Sequence, residues 1–202
     1  MNQGRYCSSK LNIKINTQQN QYFLDHVEEM LLLINPSRII EIGTARGGVT
    51  LLMSDILYKH NMYNSKIKTF DISMRAHLKN IKVPNIEFYV GNVFRYKDES
   101  LIKEEEITNF ISKDHTNLFL CDGGYKVKEF ITLCPYLKSG DVIMLHDYAP
   151  NKEIFESEYK DKIWNWMEVT DKDILPCIEK YNLSYYEMGL IKPSAWVALI
   201  KK

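Results

Sequence analysis

The sequence predicts an α/β fold: a doubly wound, mostly parallel sheet that finishes in an antiparallel C-terminal hairpin. Three observations carry this expectation. Five short apolar runs alternate with helix-like segments, a glycine-rich turn follows the first run, and two further apolar runs near the C-terminus are joined by a short connection containing Pro193. Runs of this length that are nearly continuous in hydrophobicity suit strands buried on both faces, as in a parallel sheet flanked by helices.

The elements follow in order. Residues 1–16 form a polar N-terminal arm in which Leu11, Ile13 and Ile15 alternate, a pattern open to a strand or to a segment laid on the surface. From about Thr17 to Ile34 the residues Tyr22, Phe23, Val27, Met30, Leu31 and Ile34 recur at three- and four-residue intervals, the period of a one-faced helix, and Asn35-Pro36 ends it. Arg38 to Ile42, Ile67 to Ile72, Ile86 to Tyr89, Leu118 to Cys121 and Asp141 to Leu145 are the expected parallel strands. Residues 150–175 form a charged insert with Trp164, Trp166 and Met167, which would lie above the strand ends and could cover a substrate. Leu183 to Met188 and Trp196 to Ile200 make the hairpin. A chain of 202 residues, 45% of them hydrophobic, is expected to form one domain over 1–202.

Composition narrows the function. Lys and Arg number 26 and Asp and Glu number 26, so no overall field attracts nucleic acid or an anionic membrane, and a small-molecule partner fits better. Cys7, Cys121, Cys134 and Cys177 form no CxxC pair and read as free thiols of a reducing, cytoplasmic compartment. The first residues lack the apolar stretch of a secretory leader, and no run is long enough to span a bilayer. The arm could serve a homo-oligomer.

The most informative segment is Arg38 to Thr50, an apolar strand running into Gly43-Thr44-Ala45-Arg46-Gly47-Gly48 and then an amphipathic helix. Glycines let a ligand sit against the main chain, and the following helix aims free N–H groups at it, so the turn suits a nucleotide-type ligand. A dinucleotide fingerprint would want glycine at 45, where this chain has alanine. Glu41, two positions before Gly43, would repel a pyrophosphate but could balance a sulfonium and an amino group. Asp71, at the end of the next strand, could accept both hydroxyls of a ribose.

These features, from about Pro36 to the C-terminus, resemble the class I S-adenosylmethionine (AdoMet)-dependent methyltransferases, which share a Rossmann-like sheet with a reversed last strand. The resemblance implies that Glu41, Gly43, Thr44, Gly47 and Gly48 form the first cofactor motif and that Asp71 and Ile72 hold the ribose side. Gly91, Asn92 and Val93 would lie around the adenine, with Asp122 and Gly123 completing the cofactor set. Leu118 to Tyr125 and Tyr136 to Tyr148 look like a branch of small-molecule O-methyltransferases that reads Asp-Gly-x-His after the fourth strand and His-Asp or Asp-Asp after the fifth. Here Tyr125 stands in place of that histidine, and Asp141 replaces a turn glycine.

Asp122 and the pair His146-Asp147 each follow directly on an expected buried strand, and strand ends line the ligand crevice of an open parallel sheet. Asp122, His146 and Asp147 are therefore the catalytic candidates. The same three could hold Mg²⁺, which would bind a substrate hydroxyl and lower its pKa, or His146 could take the hydroxyl proton itself. His26, His60, His77 and His115 lack acidic or cysteine partners at ligand spacing and read as surface or capping residues. The expected function is AdoMet-dependent methyl transfer to a hydroxyl of a small molecule or sugar. Two alternatives remain: an NAD(P)-binding oxidoreductase, opposed by Glu41, Ala45 and the missing Tyr-x-x-x-Lys, and a non-catalytic AdoMet-binding protein.

Overall fold

The computed structural model describes residues 3–8, 13–91, 104–186 and 192–202. The expected positions Asn92 and Val93, and the last two residues of the run to Met188, lie outside the described residues. In chain order the elements are β1 (Gln3–Ser8), β2 (Ile13–Asn20), α1 (Gln21–Ile34), β3 (Arg38–Ile42), α2 (Gly48–Lys59), β4 (Lys66–Asp71) and β5 (Ile86–Val90). There follow α3 (Glu104–Thr108), β6 (Asn117–Cys121), α4 (Lys126–Leu133), β7 (Val142–Leu145), α5 (Lys152–Ile154), α6 (Asp171–Lys180), β8 (Leu183–Tyr185) and β9 (Val197–Lys201).

Seven strands form one sheet in the order β5-β4-β3-β6-β7-β9-β8. The first five run parallel, and β9 lies antiparallel between β7 and β8. The mostly parallel sheet and reversed C-terminal strand are as the sequence predicts. Every residue of β6 and β7 is buried, which is why these segments read as continuous apolar runs. Successive side chains point to opposite faces and so divide between two cores. Ile39, Leu118, Leu120 and Met144 pack with Val27 and Met30 of α1 and Leu51 and Leu57 of α2. Ile40, Phe119, Ile143 and Leu145 pack on the other face with Phe130 of α4 and Ile174 and Cys177 of α6. Each fully buried Leu, Ile or Phe contributes about 1.5–3 kcal/mol, so the double-sided burial of β6 and β7 anchors the sheet.

The N-terminal boundary differs from expectation. Residues Thr17 to Asn20 are not helical but complete β2, which pairs with β1 in a separate antiparallel ribbon. Thr17 Oγ1 donates to the Gly4 carbonyl at 3.1 Å, tying that end of β2 into the ribbon. Helix α1 begins only at Gln21, because Asn20 Oδ1 accepts the Phe23 N–H at 2.9 Å and caps it. Within the insert, α5 and a single π-helical turn, Phe155–Tyr159, lead to an irregular stretch that returns to the sheet where Val169 bridges Tyr148. Phe155, Tyr159 and Trp164 close a small core of their own with Ala149 and Ala195.

Candidate active site

From β3 the chain winds outward through β4 to β5, then returns to β6 and winds the other way to β7. The carboxyl ends of β3 and β6 therefore flank the switch point of the sheet, where a crevice opens. A cavity of about 560 Å³ occupies it, lined among others by Gly43, Ala45, Asp71, Ile72, Gly91, Asp122, Gly123, His146 and Asp147. Hydrogen bonds continuing past the strand ends hold these residues in register. Gly43 N–H donates to the Phe70 carbonyl at 2.8 Å, Asp122 N–H to Ile42 at 2.9 Å and His146 N–H to Cys121 at 3.1 Å.

The glycine-rich turn is tight. Gly43 has φ +102°, and a Cβ there would collide with the Asp122 carbonyl, so the glycine permits the ends of β3 and β6 to touch. Ala45 takes a left-handed conformation, φ 47°, and its N–H donates to Asp71 Oδ2 at 2.7 Å. Ser73 N–H reaches the other carboxylate oxygen at 3.1 Å. Each Asp71 oxygen keeps a further lone pair at the cavity wall. Glu41 lies behind the turn and is not among the residues lining the cavity. It is buried, and its Oε2 accepts the hydroxyls of Thr50 at 2.5 Å and Thr69 at 2.6 Å. Burial pushes its carboxyl up to about 7, against the pull of those two hydroxyls. Thr44 joins the network through Thr69, while Gly48 packs against Thr17.

Asp122, His146 and Asp147 do converge. His146 Nδ1 lies 2.8 Å from Asp122 Oδ1 and 3.4 Å from Asp147 Oδ1. Asp122 Oδ2 accepts Gln19 Nε2 at 2.6 Å, and Gln19 Oε1 accepts Trp196 Nε1 at 2.8 Å. The imidazole is stacked on Trp196 and tilted against Trp164, and its Nε2 is buried with no hydrogen-bond partner. Asp147 has φ +57°, a left-handed turn that an aspartate tolerates better than most residues. That turn presents its Oδ1 to Trp164 Nε1 at 2.5 Å and its Oδ2 to Lys126 Nζ at 2.7 Å. Among the described residues no three His, Cys, Asp or Glu side chains are grouped so that they could hold a metal ion. The expected metal set is brought together, but its carboxylate oxygens already carry N–H donors.

Sequence reasoning missed Gln18, Gln19, Lys126, Glu129 and Glu168. Glu129, buried on the first turn of α4, accepts the N–H groups of Gly123 at 3.1 Å and Tyr125 at 3.2 Å and fixes the loop after β6. Desolvation raises its carboxyl to about 7 despite those two donors. Lys126 also donates to Glu168 Oε2 at 3.1 Å and to the Gly123 carbonyl at 3.0 Å. Burial pulls this ammonium down, but Asp147, Asp122 and Glu168 outweigh that effect and hold its pKa above the ordinary lysine value. Lys126 and Glu129 both lie on the first turn of the helix that follows Asp122-Gly123-Gly124. Of the insert residues, Trp164 is buried, whereas Trp166 stands 57% exposed at the cavity.

Comparisons with known proteins agree with this architecture. A comparison with curated protein sequences found no match. Among solved structures, an apo structure of CmcI superposes with a TM-score of 0.64 at 14% identity, covering 93% of this chain and 73% of that one. CmcI with Mg and SAM gives 0.61 at 14% identity, over 93% and 74%. A caffeoyl-CoA O-methyltransferase assigned in Staphylococcus aureus gives 0.53 at 15%, over 91% and 84%. The methyltransferase MycE of mycinamycin biosynthesis, in complex with Mg, SAH and mycinamycin VI, gives 0.53 at 13%, over 88% and 48%. The model of one family, rhamnosyl O-methyltransferase/CmcI, matches residues 6–166. The chain therefore belongs to the rhamnosyl O-methyltransferase/CmcI family of AdoMet-dependent O-methyltransferases.

Proposed function

We propose that this chain methylates a hydroxyl of a small molecule or sugar, with AdoMet lying along the ends of β5, β4 and β3 and the acceptor over the ends of β6 and β7. The strand order supports this division, since it sets Gly91, Asp71 and Gly43 side by side and then Asp122 and His146. A volume of about 560 Å³ is ample for a nucleoside ligand with a small acceptor beside it. Asp71 has lone pairs for ribose hydroxyls, and the side chain of Ile72, 75% exposed, offers an apolar surface to a flat base. Asn92 and Val93 belong to the same reading through the family resemblance alone. Trp164 and Trp166 flank the acceptor end, and the whole chain works as one cytoplasmic domain.

The observation that carries the chemistry is the state of His146. With Nδ1–H donated to Asp122, Nε2 bears a lone pair and lies buried without a hydrogen-bond partner, its ring against Trp164 and Trp196. Leaving such an atom unsatisfied costs about 1–3 kcal/mol, a cost that an incoming hydroxyl removes. The hydroxyl oxygen then attacks the sulfonium methyl. A C–O bond forms, the C–S bond breaks, the sulfur leaves neutral and the hydroxyl proton passes to Nε2. Mg is present in structures of CmcI and MycE, but here the oxygens of Asp122 and Asp147 face N–H donors, an ammonium among them, and no step is assigned to a metal.

The test is calorimetry with AdoMet and S-adenosylhomocysteine, followed by turnover on a panel of hydroxylated small molecules and sugars. His146→Ala is expected to keep AdoMet affinity within a few fold and to lose roughly 10²- to 10⁴-fold in kcat. Full activity of that variant would remove the histidine from the mechanism. Stabilisation by NAD and by neither sulfur compound would overturn the cofactor assignment.

A further inference from the structure

The acidic ends of β6 and β7 already contain a cation. Lys126 opens α4 with its side chain 7% exposed, and its ammonium has three N–H donors. All three are matched: Asp147 Oδ2 at 2.7 Å, Gly123 O at 3.0 Å and Glu168 Oε2 at 3.1 Å. Each carboxylate oxygen that a divalent ion would need already faces an N–H donor. Asp147 Oδ1 holds Trp164 Nε1, Asp122 Oδ2 holds Gln19 and Asp122 Oδ1 faces His146. Mg²⁺ requires near-octahedral oxygen ligands at about 2.0–2.1 Å, and here it would have to displace an ammonium from its best-placed carboxylate.

We propose that Lys126 is the resident cation of this active site, so that methyl transfer here needs no divalent ion. With its three donors committed, Lys126 does not touch the acceptor. It is a positioning residue: it neutralises Asp147 and Glu168 and ties the loop after β6 to the loop after β7 and to the insert. An amine whose protonated form is held this firmly does not serve as a base, which leaves proton removal to His146. The catalytic half of this inference rests on the methyl-transfer reading above; the occupancy of the site by an ammonium does not.

The experiment is a titration of the wild-type protein with MgCl₂ and with MnCl₂ alone, by calorimetry and by the paramagnetic signal of free Mn²⁺, with turnover measured in excess EDTA. No saturable binding is expected, and turnover should change less than about twofold with chelator, far below the loss a metal enzyme shows. Lys126→Met keeps the length of the stem without its charge and leaves Asp147 and Glu168 without their cation. It should show saturable Mn²⁺ binding at least about tenfold tighter than the weakest affinity the wild-type titration would have detected, because one positive charge within a few ångströms of the ion is gone. Stoichiometric Mg²⁺ binding by the wild type that is abolished in Asp147→Asn would overturn the proposal. So would a folded Lys126→Met protein with unchanged ion affinity and full turnover. If Lys126→Met does not fold, the wild-type titration decides alone. Failure of AdoMet to bind in a parallel titration would strike the methyl-transfer reading and leave the ion result standing.

Discussion

Glu41 titrates far from the ordinary carboxylate range, and its position behind the turn makes that a property of the fold. Its folded value is about 7 against 4.5 for the free side chain, because burial penalises the charged form. Below about pH 4.5 both folded and unfolded chains hold the proton, and Glu41 costs nothing. Between about 4.5 and 7 the folded chain keeps a proton that the unfolded chain releases, so stability falls as pH rises. Above that window the full penalty of roughly 3 kcal/mol is present. Glu41→Gln should therefore be more stable than wild type at about pH 8 and lose that advantage toward about pH 5. Urea denaturation at the two pH values measures it, and an advantage independent of pH would show that the folded carboxyl is not protonated. Gly43 carries a second prediction. Its missing Cβ clears the Asp122 carbonyl, so the position that reads in sequence as clearance for a ligand also lets two strand ends meet. Gly43→Val should lower stability by more than about 3 kcal/mol, detectable as an early thermal transition without cofactor, whereas a purely ligand-facing glycine would leave the apo melting curve in place.

At the scale of elements, α1 is set by one side chain. Asn20 caps the helix through Phe23 N–H and also donates to the Pro193 carbonyl at 3.1 Å, joining the start of α1 to the connection before β9. Asn20→Ala should cost about 1 kcal/mol or more, read as a lower urea midpoint with unchanged slope. A shift of only a few tenths would mean that water replaces the cap. The boundary at Asn20 was hidden in the sequence for a physical reason. Thr17 and Gln19 are buried polar residues whose partners lie elsewhere, Gln19 bonding to Asp122 and Trp196 across 103 and 177 positions, and no local period encodes that. Strands β3, β6 and β7 were legible because burial on both faces demands continuous apolar sequence. Asp122, His146 and Asp147 were legible for a related reason, being the first polar residues after such strands. Lys126, Glu129 and Glu168 were not, because a charged residue on a short helix or an insert reads as solvated until tertiary packing buries it.

At the scale of the whole molecule, the candidate active site has no local foundation: Gln18, Asp122 with Lys126, His146 and Glu168 reach one cavity from four separate segments. The three tryptophans of the chain all gather there, Trp164 and Trp166 at the cavity wall and Trp196 stacked on His146. Intrinsic fluorescence therefore reports the site, while far-UV circular dichroism reports the sheet and its helices. Gln19 ties β2 to Asp122 and, through Trp196, to the residue preceding β9, so opening the site requires breaking contacts that also hold the sheet. Urea unfolding followed by the two signals is expected to give coincident midpoints, the behaviour of a single cooperative unit. Gln19→Ala leaves Asp122 and Trp196 each short of a partner and should lower both midpoints together, by about 1–3 kcal/mol in stability. A tryptophan transition at lower urea than the dichroism transition would instead mean that the insert and the N-terminal ribbon open as a separate unit while the seven-stranded sheet stands.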